Sequence, residues 1–271
     1  LRKQTHAINI HKLEQRLNVT SPPQEIEQLA SDINAMLERI EMGYEQINRF
    51  SEDIAHEFRT PLNNLIGQTE ILIMSERSPA QYQELLISNL EDYQRLKRMV
   101  DSMLFLARAD THNVLIHKQQ IQVQSLLENV CNILQYQAEE QSCKFVFRLE
   151  ASELWADLEL VQQALYNLIS NALIHGGNHK TIYINSNKKL INNTIMLVLS
   201  VTTSQLEIPS EYLDHLFERF YQCNTSRNTY HRTGGLGLSI VASIMTLHQG
   251  TYHAFNSSEG ICFELCFPKA L

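Results

Sequence analysis

The sequence of 271 residues predicts an α+β, multidomain chain: a long helical hairpin followed by an α/β sandwich. Three observations carry this. Apolar residues recur every three or four positions through most of the first 110 residues, which makes a continuous helical stripe. From about Thr111 short alternating segments take over, interleaved with helical ones. The composition is 44% hydrophobic and 19% charged, with nine Gly and six Pro, so cores can form and a fibrous or loop-dominated chain is excluded.

The elements follow in order. After the break at Ser21-Pro22-Pro23, a stripe of Ile26, Leu29, Ile33, Met36, Leu37 and Ile40 predicts a helix. Gly43 is its one breaker, and the period resumes at Ile47, Phe50, Ile54, Phe58, Leu62, Leu65, Thr69 and Leu72. Pro61 predicts a kink, because proline lacks a donor and crowds the preceding turn. Residues 75–79 read as a turn with Ser78 as N-cap. A second helix carries Leu86, Leu90, Tyr93, Leu96, Val100, Met103 and Ala107. One hairpin cannot bury so long an apolar face, so a homodimer forming a four-helix bundle is expected. Beyond Thr111, strands are expected at Ile121–Val123, Lys144–Leu149, Thr181–Ile184, Ile195–Val201 and Cys262–Phe267. Helices are expected at Leu126–Glu140, Leu158–Leu173, Ile208–Tyr221 and Leu236–His248.

Several function classes fall away. A net charge of −8 and a pI near 5.8 give no electrostatic footprint for nucleic acid. The uncharged stretch Leu190–Leu206 includes Asn192 and Asn193 and is shorter than the roughly 20 apolar residues of a membrane span. Leu1-Arg2-Lys3 does not read as a signal peptide. Five cysteines without a C-x-x-C suggest free thiols in a reducing compartment, so a soluble, cytoplasmic chain is expected. Cys262 and Cys266 flank Glu264 with no further ligand at metal spacing, and His175 and His179 are separated by Gly176-Gly177.

The chemistry concentrates at Phe50-Ser51-Glu52-Asp53-Ile54-Ala55-His56-Glu57-Phe58-Arg59-Thr60-Pro61-Leu62. His56 is two residues from both Ile54 and Phe58, about 200° around a helix, and so points to solvent. An exposed helical histidine is ordinary by itself. Here Glu57 can polarise the imidazole, Thr60 lies one turn on at i+4, and Arg59 offers a cation for phosphate. The stretch resembles the H-box of bacterial sensor histidine kinases. The flanking hairpin, through Met103-Leu104-Phe105-Leu106-Ala107-Arg108-Ala109-Asp110, is similar to the heavy-metal (copper) sensor subfamily. Pro22-Pro23 with Asn34-Ala35-Met36-Leu37-Glu38-Arg39 resembles the second half of a HAMP relay module. The resemblance implies His56 as phosphoacceptor, Glu57 as general base, Arg59 beside them, and Thr60 as the residue that positions water for dephosphorylating a response regulator.

The sandwich then resembles a GHKL-type ATP-binding domain. Asn167-Leu168-Ile169-Ser170-Asn171-Ala172 looks like the N-box; Asn167 and Asn171 share a helix face, and neutral oxygens suit Mg²⁺, with Asn171 as ligand. Gly234-Gly235-Leu236-Gly237-Leu238 opening a helix looks like the G2 box, where backbone N–H groups meet phosphate. Phe217-Glu218-Arg219-Phe220-Tyr221 looks like the F-box, and Arg227 sits at the nucleotide lid. The family's D-x-G-x-G box is replaced by Thr202-Thr203-Ser204-Gln205-Leu206-Glu207. Thr203 takes the position of the adenine-binding carboxylate, and Gln205 and Glu207 stand for both glycines, which narrows the expected pocket. Ile174 and His175 also differ from the basic residue and Tyr often found after the N-box.

The resemblance implies three parts: 1–45 HAMP-like, 46–111 dimerisation and phosphotransfer hairpin, and 112–271 ATP-binding domain. It implies ATP and Mg as cofactors, a homodimer, a cognate response regulator and no nucleic acid. The full-length protein would be anchored in the bacterial inner membrane, with this fragment on the cytoplasmic side. Two other readings stay open at this stage: a regulator phosphatase with a degraded nucleotide pocket, and a non-catalytic dimeric relay.

Overall fold

The computed structural model describes residues 15–17, 23–74, 76–111, 113–191, 194–221, 223 and 235–268. The chain forms two compact units, residues 1–89 and 90–271.

Helix α1, Gln24–Met74, is 51 residues long, about 75 Å at 1.5 Å per residue. It runs unbroken through Gly43, where a breaker was expected, and on through Pro61. Pro61 is itself buried, so the ring packs, and its missing N–H leaves the Glu57 carbonyl without the usual helical donor. Upstream, the Asn34 amide clamps the Leu17 backbone, accepting from its N–H at 2.8 Å and donating to its carbonyl at 3.0 Å. Arg16 pairs with Glu41 beside it.

Ser78 caps helix α2, Pro79–Asp110, as expected. Its Oγ accepts from the Gln81 N–H at 3.4 Å, while Gln81 Oε1 accepts from the Ser78 N–H at 3.0 Å. This is a reciprocal capping box with proline in the first helical position. Leu65 on α1 and Met99, Leu106 and Ala109 on α2 are buried. Alongside them run apolar stripes open to solvent: Leu62, Ile66 and Ile73 on α1, and Leu86, Leu90, Tyr93, Val100 and Leu104 on α2.

The second unit holds the sandwich. Its elements are β1 Lys118–Gln122, α3 Val123–Glu140, β2 Lys144–Leu149, β3 Glu153–Asp157, α4 Leu158–Gly176, β4 Thr181–Ile191, β5 Thr194–Ser204, the single turn α5 Ser210–Leu213, α6 Gly237–Leu247, β6 Thr251–Ser257 and β7 Gly260–Pro268. The main sheet has the order β2-β4-β5-β7-β6, with only β2–β4 parallel, and β1 pairs with β3 apart from it. Helices α3, α4 and α6 make the second layer, α4 lying between the other two. The core between the layers includes Leu165, Leu168, Ile169, Ile182, Ile184, Leu199, Ile244 and Leu265, all essentially inaccessible.

Asp157 and His248 tie the layers together. Asp157 caps α4 by accepting from Leu160 N–H at 3.2 Å and holds the approach to β1 by accepting from His117 N–H at 2.8 Å. Its own N–H donates to Nε2 of buried His248 at 3.0 Å, and His248 Nδ1 lies 2.8 Å from the Ile244 carbonyl. That pattern requires the neutral imidazole with the proton on Nδ1. Burial lowers the His248 pKa accordingly.

The structure departs from the sequence-based expectation at three further places. Residues 208–221 form one helical turn, Ser210–Leu213, and then a series of turns, the last of them with Phe220 at φ +59°. Strands β3 and β6 were not foreseen; β3 is only five residues long, and β6 is a half-exposed edge with polar residues along it. Val123 starts α3 instead of ending a strand.

Candidate functional site

On α1, the helical repeat sets Asp53, His56, Glu57 and Thr60 on adjoining positions of one face. His56, Arg59 and Thr60 are exposed, and Glu57 and Asp53 are half-buried. Burial, helped by the charge of Glu52, pushes the Asp53 carboxyl up, while His56 pulls it the other way. The imidazole is therefore open to a reactant, with the Asp53 and Glu57 carboxylates at neighbouring positions of the same helix face. That environment favours a nucleophilic, proton-releasing role.

In the sandwich, α4 brings Asn167 and Asn171 together at the start of α6. A Cβ built at Gly237 would stand 3.8 Å from Asn167 Oδ1 and from both amide atoms of Asn171. The N-terminus of α6 has no side-chain cap, so its leading N–H groups face this point unclaimed by a capping residue. Asn167 Nδ2 is buried without a hydrogen-bond partner among the described residues. A buried donor left unpaired costs about 1–3 kcal/mol, so it marks a place built for an acceptor. Amide oxygens beside a helix N-terminus suit a hard cation with a polyanion.

The F-box holds this loop in place. Phe217 packs against Tyr252 at 4.6 Å and edge-on to Phe263 at 6.2 Å. The Phe220 N–H donates to the Gly235 carbonyl at 2.9 Å. Gly235 has φ +65°, and a Cβ there would lie 2.7 Å from the Phe220 Cα. Only glycine fits so close an approach with that backbone.

Thr203 is buried in β5, paired with Ile182 and Ile261. Its methyl faces the C-terminal end of α4, 2.7 Å from where a Gly176 Cβ would be. Gln205, standing for the family's first glycine, adopts φ +55°. The structure thus unites Asn167, Asn171 and Gly237, sets Gly235 against the F-box, and places Thr203 at the far end of the same helix. Arg227 and Gly234 lie outside the described residues. Two residues went unremarked in the sequence: Gly260, whose Cβ would run into the Thr203 carbonyl oxygen, and Asp157, signalled by its N-cap position before Leu158; the contact of Arg219 with Asp110 also has no local signal.

Residues 46–112 match the His Kinase A (phospho-acceptor) domain, and residues 156–271 match the histidine kinase-, DNA gyrase B- and HSP90-like ATPase. The chain is also 38% identical over 268 residues to the sensor protein CzcS of Cupriavidus metallidurans, covering 98% of this chain and 55% of that protein. The chain belongs to the sensor histidine kinases. It is 34% identical to the sensor histidine kinase CusS of Escherichia coli, again over 98% of this chain and 55% of that one. The chain spans about half the length of these curated relatives. Among solved structures, histidine kinase ThkA in complex with the response regulator TrrA has a TM-score of 0.66 at 21% identity, covering 92% of this chain and 68% of that chain. At that identity the likeness concerns the fold. No helix among the described residues is long and apolar enough to cross a membrane, and all five cysteines are free.

Proposed function

We propose that this chain is the signalling output of a sensor histidine kinase, which phosphorylates His56 from ATP and passes the phosphoryl group to an aspartate of a response regulator. The observation that carries this is the meeting of Asn167 and Asn171 with Gly237 at an uncapped helix N-terminus, in a chain whose other domain presents an exposed His56. The parts are a HAMP-like segment 1–45, the hairpin 46–111 and the ATP-binding domain 112–271.

In the first step an imidazole nitrogen of His56 attacks the γ-phosphorus. The bond to the β-phosphate oxygen breaks, ADP leaves, and the imidazole proton passes to Glu57. Arg59 draws the phosphate by charge. Asn171 would hold Mg²⁺, which neutralises charge on the phosphates. Asn167 donates through its unpaired Nδ2, and Gly235 and Gly237 present backbone N–H groups; the resemblance adds Gly234 and Arg227, which lie outside the described residues, to the phosphate-binding set. Thr203 sits where the adenine amino group would be recognised. In the reverse duty, the Thr60 hydroxyl orients water against the phosphorylated regulator. The uncovered apolar stripes on α1 and α2 support a homodimer. Anchorage in the inner membrane, with this part cytoplasmic, would come from segments beyond this sequence.

The test is incubation with γ-labelled Mg-ATP beside a His56→Ala variant. Acid-labile, base-stable label on the native chain and none on the variant is expected. Equal label on both would refute the assignment of His56.

A further inference from the structure

We infer that His248 is a positioning residue of the nucleotide pocket: as a neutral imidazole it ties the start of helix α4 to the end of helix α6, and it lets go when it takes up a proton. The inference rests on the proposed function for its nucleotide readout. The two helices share the pocket, since α4 carries Asn167 and Asn171 and α6 opens at Gly237 beside them. Their other ends meet at His248, which is 1% exposed and follows the last residue of α6.

Both nitrogens of the ring are committed. Nε2 accepts the Asp157 N–H at 3.0 Å, and Nδ1 lies 2.8 Å from the Ile244 carbonyl, which also accepts the His248 N–H at 3.1 Å. Nδ1 therefore carries the proton and Nε2 the lone pair. A second proton, on Nε2, would set N–H against N–H in a site closed to solvent. The charged groups facing the ring are Lys118 on β1, which opposes a further positive charge, and Asp157 at the end of β3, which favours one. The first turn of α4 adds Glu159, which is exposed, and β7 presents the Phe267 ring edge-on at 5.6 Å. Burial outweighs the rest and lowers the His248 pKa.

Asp157 gives the tie its consequence. Its carboxylate is divided between two backbone donors, Oδ1 accepting from the Leu160 N–H at 3.2 Å at the start of α4, and Oδ2 from the His117 N–H at 2.8 Å. A protonated Nε2 needs an acceptor, and this carboxylate belongs to the residue already at its side. Drawing it away uncaps α4 and frees the approach to β1. A histidine whose folded pKa is lowered withdraws stability as pH falls: the loss begins near the ordinary value of about 6.5 and is complete below the folded value. The released form accumulates below that folded value, with the two halves of the pocket no longer held in register.

The experiment follows urea unfolding of the native chain and of His248→Gln from about pH 7.5 to about pH 5. Glutamine keeps an acceptor and a donor but takes up no charge. Over this range the unfolding constant should rise at least about threefold more in the native chain than in the variant. Parallel profiles overturn the inference. Should the variant not fold, nitrogen-15 spectra of the native imidazoles decide. His248 should still be neutral, with its proton on Nδ1, at about pH 6.5, and the Leu160 and His117 amide signals should move with its titration. A ring mostly protonated at that pH, or amides that stay still, overturns the tie. Mg-ATP affinity, read by calorimetry, should fall below about pH 6 in the native chain and hold in the variant. A native affinity as steady as the variant's overturns the positioning role. No nucleotide binding at any pH, with the other readouts as expected, would count against the kinase reading while the tie itself stands.

Discussion

Two turns of the sandwich solve the same backbone problem differently. Gln205 and Gly235 both lie in the left-handed region, at φ +55° and +65°. At Gly235 the Phe220 backbone stands where a side chain would start, so glycine is obligatory. At Gln205 the side chain points free enough to accept a hydrogen bond from Lys180 at 3.4 Å. The turn is held by its neighbours: Gln205 N–H donates to the Glu259 carbonyl at 3.0 Å, Ile261 N–H to the Leu206 carbonyl at 2.6 Å, and Asn256 bonds both the N–H and carbonyl of Ile208. The space it needs is provided across the ladder, by Gly260 under the Thr203 carbonyl. Missing glycines therefore do not by themselves close a pocket. What matters is whether a Cβ would meet backbone.

Three substitutions test that contrast. Gly260→Ala, at φ +139° and against a carbonyl oxygen, should be the most damaging. A loss of about 3 kcal/mol or more is expected in urea unfolding. Gly235→Ala should cost about 2 kcal/mol and weaken Mg-ATP binding at least about tenfold, because the loop cannot stay against Phe220. Gln205→Gly should change stability by under about 1 kcal/mol, since relief of a left-handed side chain is offset by a freer unfolded chain. A large loss from Gln205→Gly, or none from Gly260→Ala, would show that the glycine requirement is located elsewhere.

The hairpin was legible because its chemistry is local. His56, Glu57, Arg59 and Thr60 lie in five consecutive positions of one helix, and helical spacing alone sets His56 facing solvent. Ser78 announced the cap by its place before Pro79, although the returning bond from Gln81 was not foreseen. Gly43 misled because one glycine inside a long helix costs only about 1 kcal/mol, which the turns on either side outweigh. The sandwich was harder, since its site draws on α4, the F-box turn and the start of α6. The i,i+4 asparagines were readable from α4, but their meeting with Gly237 is tertiary. The compensation by Gly260 depends on the register of β7 against β5, and the Arg219–Asp110 pair joins residues 109 positions apart, which no local pattern encodes.

The central claim is that this pocket accepts nucleotide although Thr203, Gln205 and Glu207 replace the family's acid and glycines. Calorimetric titration of Mg-ATP into the native chain and into Gln205→Gly tests it most directly. Saturable binding with affinities within about threefold of each other is predicted, a difference under about 1 kcal/mol. Binding by Gln205→Gly alone, with none by the native chain at millimolar nucleotide, would contradict it.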